Sequence, residues 1–307
     1  MFSHHHSPFS LFVGAMLFAA AGFSPASGST PGDSALAEGI RALEEETGGT
    51  FGVSVRHITR GDSFDHGSDV VFPAASVIKT HLLVLLQRME ERGELSLDET
   101  LVLTDEDKVG GSGRLQNEEA GEEYTLKELA HLMIVISDNT ATNMLMRRMG
   151  GIDAINGQLR DIGIETSRFG RYMMDFEARE RGIDNWLTAP ETAQLYVAIE
   201  LGTATGTPEG GQAVLDVLLA QELQSRMPVL LPEGTRVAHK TGSLAAVCHD
   251  SGIIYAPSGP IALAVLTKGI EERSVAVDAI RKIALLVYDE WGTVEEAETE
   301  EEPEPED

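Results

Sequence analysis

Three short segments carry side chains whose chemistry means more together than apart: Ser76-Val77-Ile78-Lys79, Ser137-Asp138-Asn139 and Lys240-Thr241-Gly242. A serine hydroxyl is a weak nucleophile until a nearby base takes its proton, and lysine becomes such a base when burial or a neighbouring cation lowers its pKa. Ser76 and Lys79 stand one helical turn apart in a stretch with helical periodicity, so the two side chains share a face. Pro73-Ala74-Ala75 reads as the start of that helix, where free amide hydrogens and the positive dipole end favour a developing oxyanion. The implied chemistry is acyl transfer through Ser76. A serine placed this way before a lysine arises by chance about once in a chain of this length, so the weight rests on the other two segments.

Taken singly, Ser137 or Asn139 would cap a helix at the break between two helical stretches, and Gly242 would mark an ordinary exit from a strand ending at Lys240-Thr241-Gly242. In this order the three segments resemble the signature of the penicillin-recognising serine enzymes. Their separations, about sixty and about a hundred residues, look like those of class A β-lactamases. The resemblance covers residues 34–292 and implies an α+β architecture, the serine β-lactamase or D-Ala-D-Ala peptidase-like fold. In that fold one antiparallel sheet takes strands from both ends of the chain and a helical subdomain is inserted between them.

The resemblance also implies roles. Ser76 would attack a lactam carbonyl, Lys79 would take part in proton transfer, and Ser137 would pass a proton to the departing nitrogen. Lys240 would hold positive potential near Ser137 and the substrate carboxylate, with Thr241 and Ser243 hydrogen-bonding that carboxylate. Asn139 would orient Lys79 and the substrate amide, Gly242 would allow close approach, and the amides of Ser76 and Ser243 would form the oxyanion hole. Class A enzymes usually add a glutamate followed three residues later by Leu-Asn, which orients the deacylating water. Here the corresponding segment reads Arg171-Tyr172-Met173-Met174-Asp175-Phe176-Glu177-Ala178-Arg179-Glu180-Arg181, without the Leu-Asn element. Glu177 is the candidate for the water-activating role and Asp175 the second, against a reading in which Glu177 only pairs with Arg171, Arg179 or Arg181. Without that role, acylation would outrun hydrolysis.

The reading is therefore a serine β-lactamase working without metal or organic cofactor on a small β-lactam or cell-wall peptide. Two rivals stand beside it: a D-alanyl-D-alanine peptidase, esterase or slow penicillin-binding protein on the same fold, and a covalent β-lactam sensor. His131 and His249 lack metal-ligand spacing, and His239 should point to the strand face opposite Lys240 in a structural role.

The elements that must position these groups are legible as periodicity. Phe51 to Ile58 alternates as a strand, with Asp65 to Phe72 as its expected hairpin partner, and Ser76 to Arg92 is helical until Gly93. Thr125-Leu126-Lys127-Glu128 has the form of a capping box before a helix to Ser137. Further helices are expected over Ala141 to Met149, Asp153 to Ile162, Pro190 to Leu201 and Gln212 to Leu223. Strands are expected over Thr235 to His239, Val247 to Tyr255 and Ile261 to Thr267, before a closing helix from Glu272 to Trp291. The irregular, charged stretch Gly170 to Leu187 has a length typical of functional loops.

Composition narrows the rest. The 307 residues carry 23 basic and 50 acidic side chains, a net charge of −27, which argues against nucleic acid and anionic membranes. Nine of the last thirteen residues are acidic, so 293–307 reads as a disordered tail. Residues 1–28, with an apolar stretch from Ser10 to Phe23 and small residues after it, read as a signal peptide, placing the mature chain in the periplasm or outside the cell with no stable membrane insertion. Cys248 is the single cysteine and reads as a buried small hydrophobe, and a monomer is expected.

Overall fold

The computed structural model describes residues 31–294; the leader over 1–28 and the acidic run over 295–307 lie outside the described residues. The chain opens with helix α1 (Pro31–Thr47), then β1 (Thr50–His57), β2 (Ser63–His66) and β3 (Phe72–Pro73). A single 3₁₀ turn (Ala75–Val77) leads directly into α2 (Ile78–Glu91). The helical part follows: β4 (Thr100–Val102), β5 (Glu123–Thr125), α3 (Leu126–Val135), α4 (Asn139–Arg148), α5 (Gly151–Asp161), α6 (Phe176–Glu180), β6 (Trp186–Leu187), α7 (Ala189–Glu200) and α8 (Pro208–Leu219). The chain returns through β7 (Val237–Leu244), β8 (Val247–Ala256), β9 (Gly259–Lys268) and α9 (Arg273–Trp291).

Five strands form one antiparallel sheet in the order β2-β1-β9-β8-β7, so the first strand lies beside the last. Along β9 the side chains alternate as pleating requires. Ile261, Leu263 and Val265 join the core under α1 and α9, while Ala262, Ala264 and Leu266 join the core shared with α2 and α7. The sheet is therefore covered on both faces, which explains why β9 reads as a near-continuous apolar run and why β8 is buried from Val247 to Ile254 although it carries His249, Asp250 and Ser251. This is the expected α+β arrangement, with the helical subdomain inserted between β2 and β7.

Three local expectations change and one holds. Helix α1 has no counterpart in the sequence reading, although Leu36, Ile40 and Leu43 recur at helical spacing and all three are buried against the sheet. The partner of β1 ends at His66 and does not run to Phe72: Gly67 turns the chain at φ 62°, and a side chain there would strike the Phe51 carbonyl at 2.4 Å. Phe72 and Pro73 pair instead with Leu187 and Trp186 of β6. Lys240-Thr241-Gly242 lies inside β7, which continues to Leu244 with every residue in register with β8. The capping box at Thr125 forms as read, the Thr125 hydroxyl accepting the Glu128 amide hydrogen at 3.1 Å while Glu128 accepts that of Thr125 at 2.8 Å.

Two buried histidines tie pH to this packing. His249 on β8 donates from Nε2 to the Pro73 carbonyl at 2.8 Å and accepts the Thr267 amide hydrogen at Nδ1 at 3.0 Å, which fastens the sheet to the segment preceding Ser76. His81 on α2 is fully buried, with no hydrogen-bond partner for either ring nitrogen among the described residues. Burial is the leading cause that lowers both imidazoles from 6.5 to about 4. Their neutral forms belong to the fold, so stability is full above about pH 6.5 and is lost as pH falls toward about 4. Urea unfolding at pH 7 and pH 5 should show a loss of roughly 1–2 kcal/mol per histidine at the lower pH, and His81→Leu should remove its share of that difference.

Candidate active site

Ser76 sits in the middle of the 3₁₀ turn, and its half-buried side chain lines a cleft. The residue before it, Ala75, takes a left-handed conformation at φ 47°, unusual for a residue with a Cβ and of a kind concentrated at functional sites. One turn later Lys79 is completely buried. Its ammonium donates to the Ser137 carbonyl at 2.7 Å, to Asn139 Oδ1 at 2.9 Å and to Ser137 Oγ at 3.2 Å. The first and second sequence segments are thus joined through one side chain.

The break between α3 and α4 is built by Asp138. One carboxylate oxygen caps α4 at the Ala141 amide, 2.9 Å, and the other accepts the amides of Arg114 and Leu115 at 2.7 and 2.9 Å. This holds Ser137 at φ 59°, another left-handed residue, and ties the loop before Leu115 to the site. The Asn139 amide nitrogen donates to the Gly110 carbonyl at 3.1 Å, and its backbone N–H donates to the Ser112 carbonyl at 3.0 Å. Gly113 is obligatory here, since its φ is 106° and a Cβ would meet the Asp138 carboxyl carbon at 2.3 Å.

The third segment closes the cleft from β7. A Cβ at Gly242 would lie 3.0 Å from the backbone nitrogens of both Ser76 and Val77, so the strand can approach the 3₁₀ turn this closely only with glycine. Ser243 comes next and lines the same cleft as Ser76, while Thr241 is buried beside it. The Lys240 ammonium is fully buried and donates to the Thr241 carbonyl at 3.0 Å. His239 points to the other side and contacts Asp250 at 2.9 Å, in agreement with a structural role.

Burial first, and the nearby Lys240 charge second, push Lys79 well below the ordinary lysine range, while Asp138 acts in the opposite direction. Burial also lowers Lys240, to about 7; Asp250 raises it and Arg226 lowers it further. Lowering a lysine pKa raises its share of free amine, which is the state that accepts a proton from a serine hydroxyl.

Arg226 is the residue at the site that sequence reasoning missed. It is buried, and its guanidinium donates to the Gly242 carbonyl at 2.7 Å, to the His249 carbonyl and to Ser243 Oγ at 2.5 Å. It fixes the end of β7 and the hydroxyl of Ser243 at once. No motif surrounds it, so only its nearness in three dimensions reveals it.

The loop expected over Gly170 to Leu187 contains α6 and is stapled at both ends. Arg171 and Asp184 form a buried ion pair at 2.7 Å, Asn185 Oδ1 accepts the amides of Gly170 and Arg171, and the Asn185 carbonyl accepts the Ala74 amide at 2.8 Å. Asp175 caps α6 by accepting the Ala178 amide at 3.0 Å. Glu177, in the first turn of α6, is exposed and is not among the residues lining the cleft. Ser76, Lys79, Ser137, Asn139, Lys240, Thr241, Gly242 and Ser243 are brought together; Glu177 is not.

Comparison with known proteins agrees with this geometry. A family model described as "Beta-lactamase enzyme family" matches residues 35–291. A β-lactamase of Streptomyces lavendulae is 30% identical over 82% of this chain and 88% of its own. Among solved structures, a β-lactamase from Sphaerobacter thermophilus superimposes with a TM-score of 0.75 at 34% identity, covering 83% of this chain and 96% of that one. A PBP-A mutant solved as its acyl-enzyme complex with penicillin G gives 0.76 at 29% identity, covering 83% and 95%. A match of that extent, on a chain whose separated segments converge on one serine, places this protein in the β-lactamase family, as a class A-like serine β-lactamase.

Proposed function

We propose that the protein opens the β-lactam ring through an acyl-enzyme on Ser76. The observation that carries this reading is the buried Lys79, hydrogen-bonded to Ser137 and Asn139 one turn from a nucleophile that reaches the cleft. Lys79 in its amine form accepts the Ser76 hydroxyl proton as Oγ bonds to the lactam carbonyl carbon. The amides of Ser76 and Ser243 receive the oxyanion, at the close approach that Gly242 permits. As the C–N bond breaks, Ser137 Oγ passes a proton to the lactam nitrogen. Lys240, Thr241 and Ser243 attract the substrate carboxylate, and Asn139 offers its amide to the acylamino side chain of the substrate. The exposed Glu177 receives no part in these steps.

The apolar leader over residues 1–28 supports a periplasmic or secreted enzyme. A monomer suffices, because every group invoked belongs to one chain.

Three outcomes test the reading. Intact-mass analysis after mixing with benzylpenicillin should show one covalent adduct per chain, absent in Ser76→Ala; an adduct that survives in Ser76→Ala would move the nucleophile elsewhere. For anionic β-lactams, kcat/KM should fall as pH rises through about 7, because the free enzyme then loses the Lys240 charge, and Lys240→Arg should abolish that limb because guanidinium stays protonated. Gly242→Val should separate β7 from the 3₁₀ turn and lower the acylation rate about 10²-fold, the usual cost of one oxyanion donor, with circular dichroism unchanged.

A further inference from the structure

Release of the acyl group requires a second proton acceptor or the reuse of the first. Water oxygen forms a bond to the ester carbonyl carbon while one of its protons passes to a base. The bond from that carbon to Ser76 Oγ then breaks, Oγ takes up a proton, and the opened substrate leaves as a carboxylic acid. A carboxylate on the cleft wall is the ordinary acceptor in such a step.

Among the described residues that line the cleft around Ser76 none is Asp or Glu. The nearby carboxylates are all committed elsewhere. Asp138 accepts three backbone amides, Asp175 caps α6, and Asp184 binds Arg171 at 2.7 Å and Arg179 at 3.3 Å. Asp250, fully buried on β8, contacts His239, and Glu177 is exposed. The loop instead contributes Met173 and Met174 to the wall. Met173 is held with little freedom: its N–H donates to Asn143 Oδ1 at 2.8 Å, its carbonyl accepts from Asn143 Nδ2 at 3.1 Å, and the residue is 7% exposed. Met174 follows in a left-handed conformation at φ 66°.

We infer that acyl-Ser76 is the long-lived species of this enzyme, because a fixed thioether at Met173 occupies the stretch of cleft wall from which a carboxylate would activate water. The inference rests on the Ser76 acyl-enzyme proposed above. Hydrolysis then depends on Lys79, the base already used for acylation, and the burial that keeps Lys79 below the ordinary lysine range allows it to serve twice. The protein captures β-lactams quickly and lets them go slowly. Met173 is the position that sets the ratio of the two rates.

The full chain is mixed with benzylpenicillin, excess drug is removed, and the adduct is followed by intact mass; nitrocefin is used in parallel for burst and steady-state rates. The expected result is a stoichiometric burst followed by a steady rate at least tenfold slower than acylation. Decay should be the same in Glu177→Gln, at least tenfold faster in Met173→Glu, and no faster in Met173→Gln, which matches the glutamate in size but supplies no base. A positioned base contributes about 10²–10⁴-fold to such a step, so tenfold is a low bar. Rapid decay in the wild type that slows in Glu177→Gln overturns the inference, since an exposed carboxylate would then be the acceptor. So does persistent adduct in Met173→Glu, or equal acceleration by glutamate and glutamine. Absence of any adduct and of any turnover overturns the Ser76 reading itself.

Discussion

The site depends on one buried cation. Lys79 is removed from water in a position where only three oxygen acceptors compensate it, and all three belong to the break between α3 and α4. Burying an ammonium is costly unless its hydrogen bonds are supplied, so the break must present its oxygens to Lys79 even as burial itself lowers the lysine pKa. The left-handed Ser137 is tolerable because Asp138 spends its carboxylate on three backbone amides at that point. Strain at the serine, capping at the aspartate and desolvation at the lysine form one mechanical unit.

A second unit stands opposite and obeys the same logic. Lys240 and Arg226 are buried beside Asp250, whose ionisation burial opposes and whose carboxyl His239, Arg226 and the Met227 amide nevertheless hold below the ordinary range. Lys240 lies on β7 and Asp250 on β8, Arg226 holds the carbonyls of both strands, and β7 meets the 3₁₀ turn where Gly242 omits a side chain. Positive potential is thereby concentrated on one side of Ser76 although the chain as a whole carries a net charge of −27. Local burial and not overall charge decides what the cleft attracts.

How much of this was legible varied with the kind of signal. The three segments were readable because each places reactive side chains at fixed short spacing, and the helices and late strands because apolar residues recur at the period of the element. Helix α1 carried the same kind of signal in Leu36, Ile40 and Leu43 and was available to the same reasoning. The early end of β2 was not, because it depends on a contact between Gly67 and the Phe51 carbonyl that no local pattern encodes. Gly242 looked like the end of a strand for the same reason: glycine signals a turn in sequence, but here it serves a close approach across nearly 170 residues of chain. Arg226 has no signature at all, and Glu177, whose carboxylate suits the expected role, stands exposed and outside the residues that line the cleft. Residue type suggests what a group can do; only the loop staple between Arg171 and Asp184 decides where it stands.

The sheet order also governs how the protein comes into being. The central pairing of β1 with β9 joins residues more than 200 positions apart, from Thr50 with Lys268 to His57 with Ile261. Contacts so distant in sequence close slowly, since the entropy of a long intervening loop must be overcome before any pairing rewards it. During synthesis the first strand emerges long before its partner exists, and Phe51, Val53 and Val55 wait without the surface that will bury them. The nascent chain therefore cannot complete its sheet, and so cannot bring Gly242 against Ser76, until almost its whole length is available. A polypeptide of this topology stays threadable until translation is nearly finished and acquires its reactivity last.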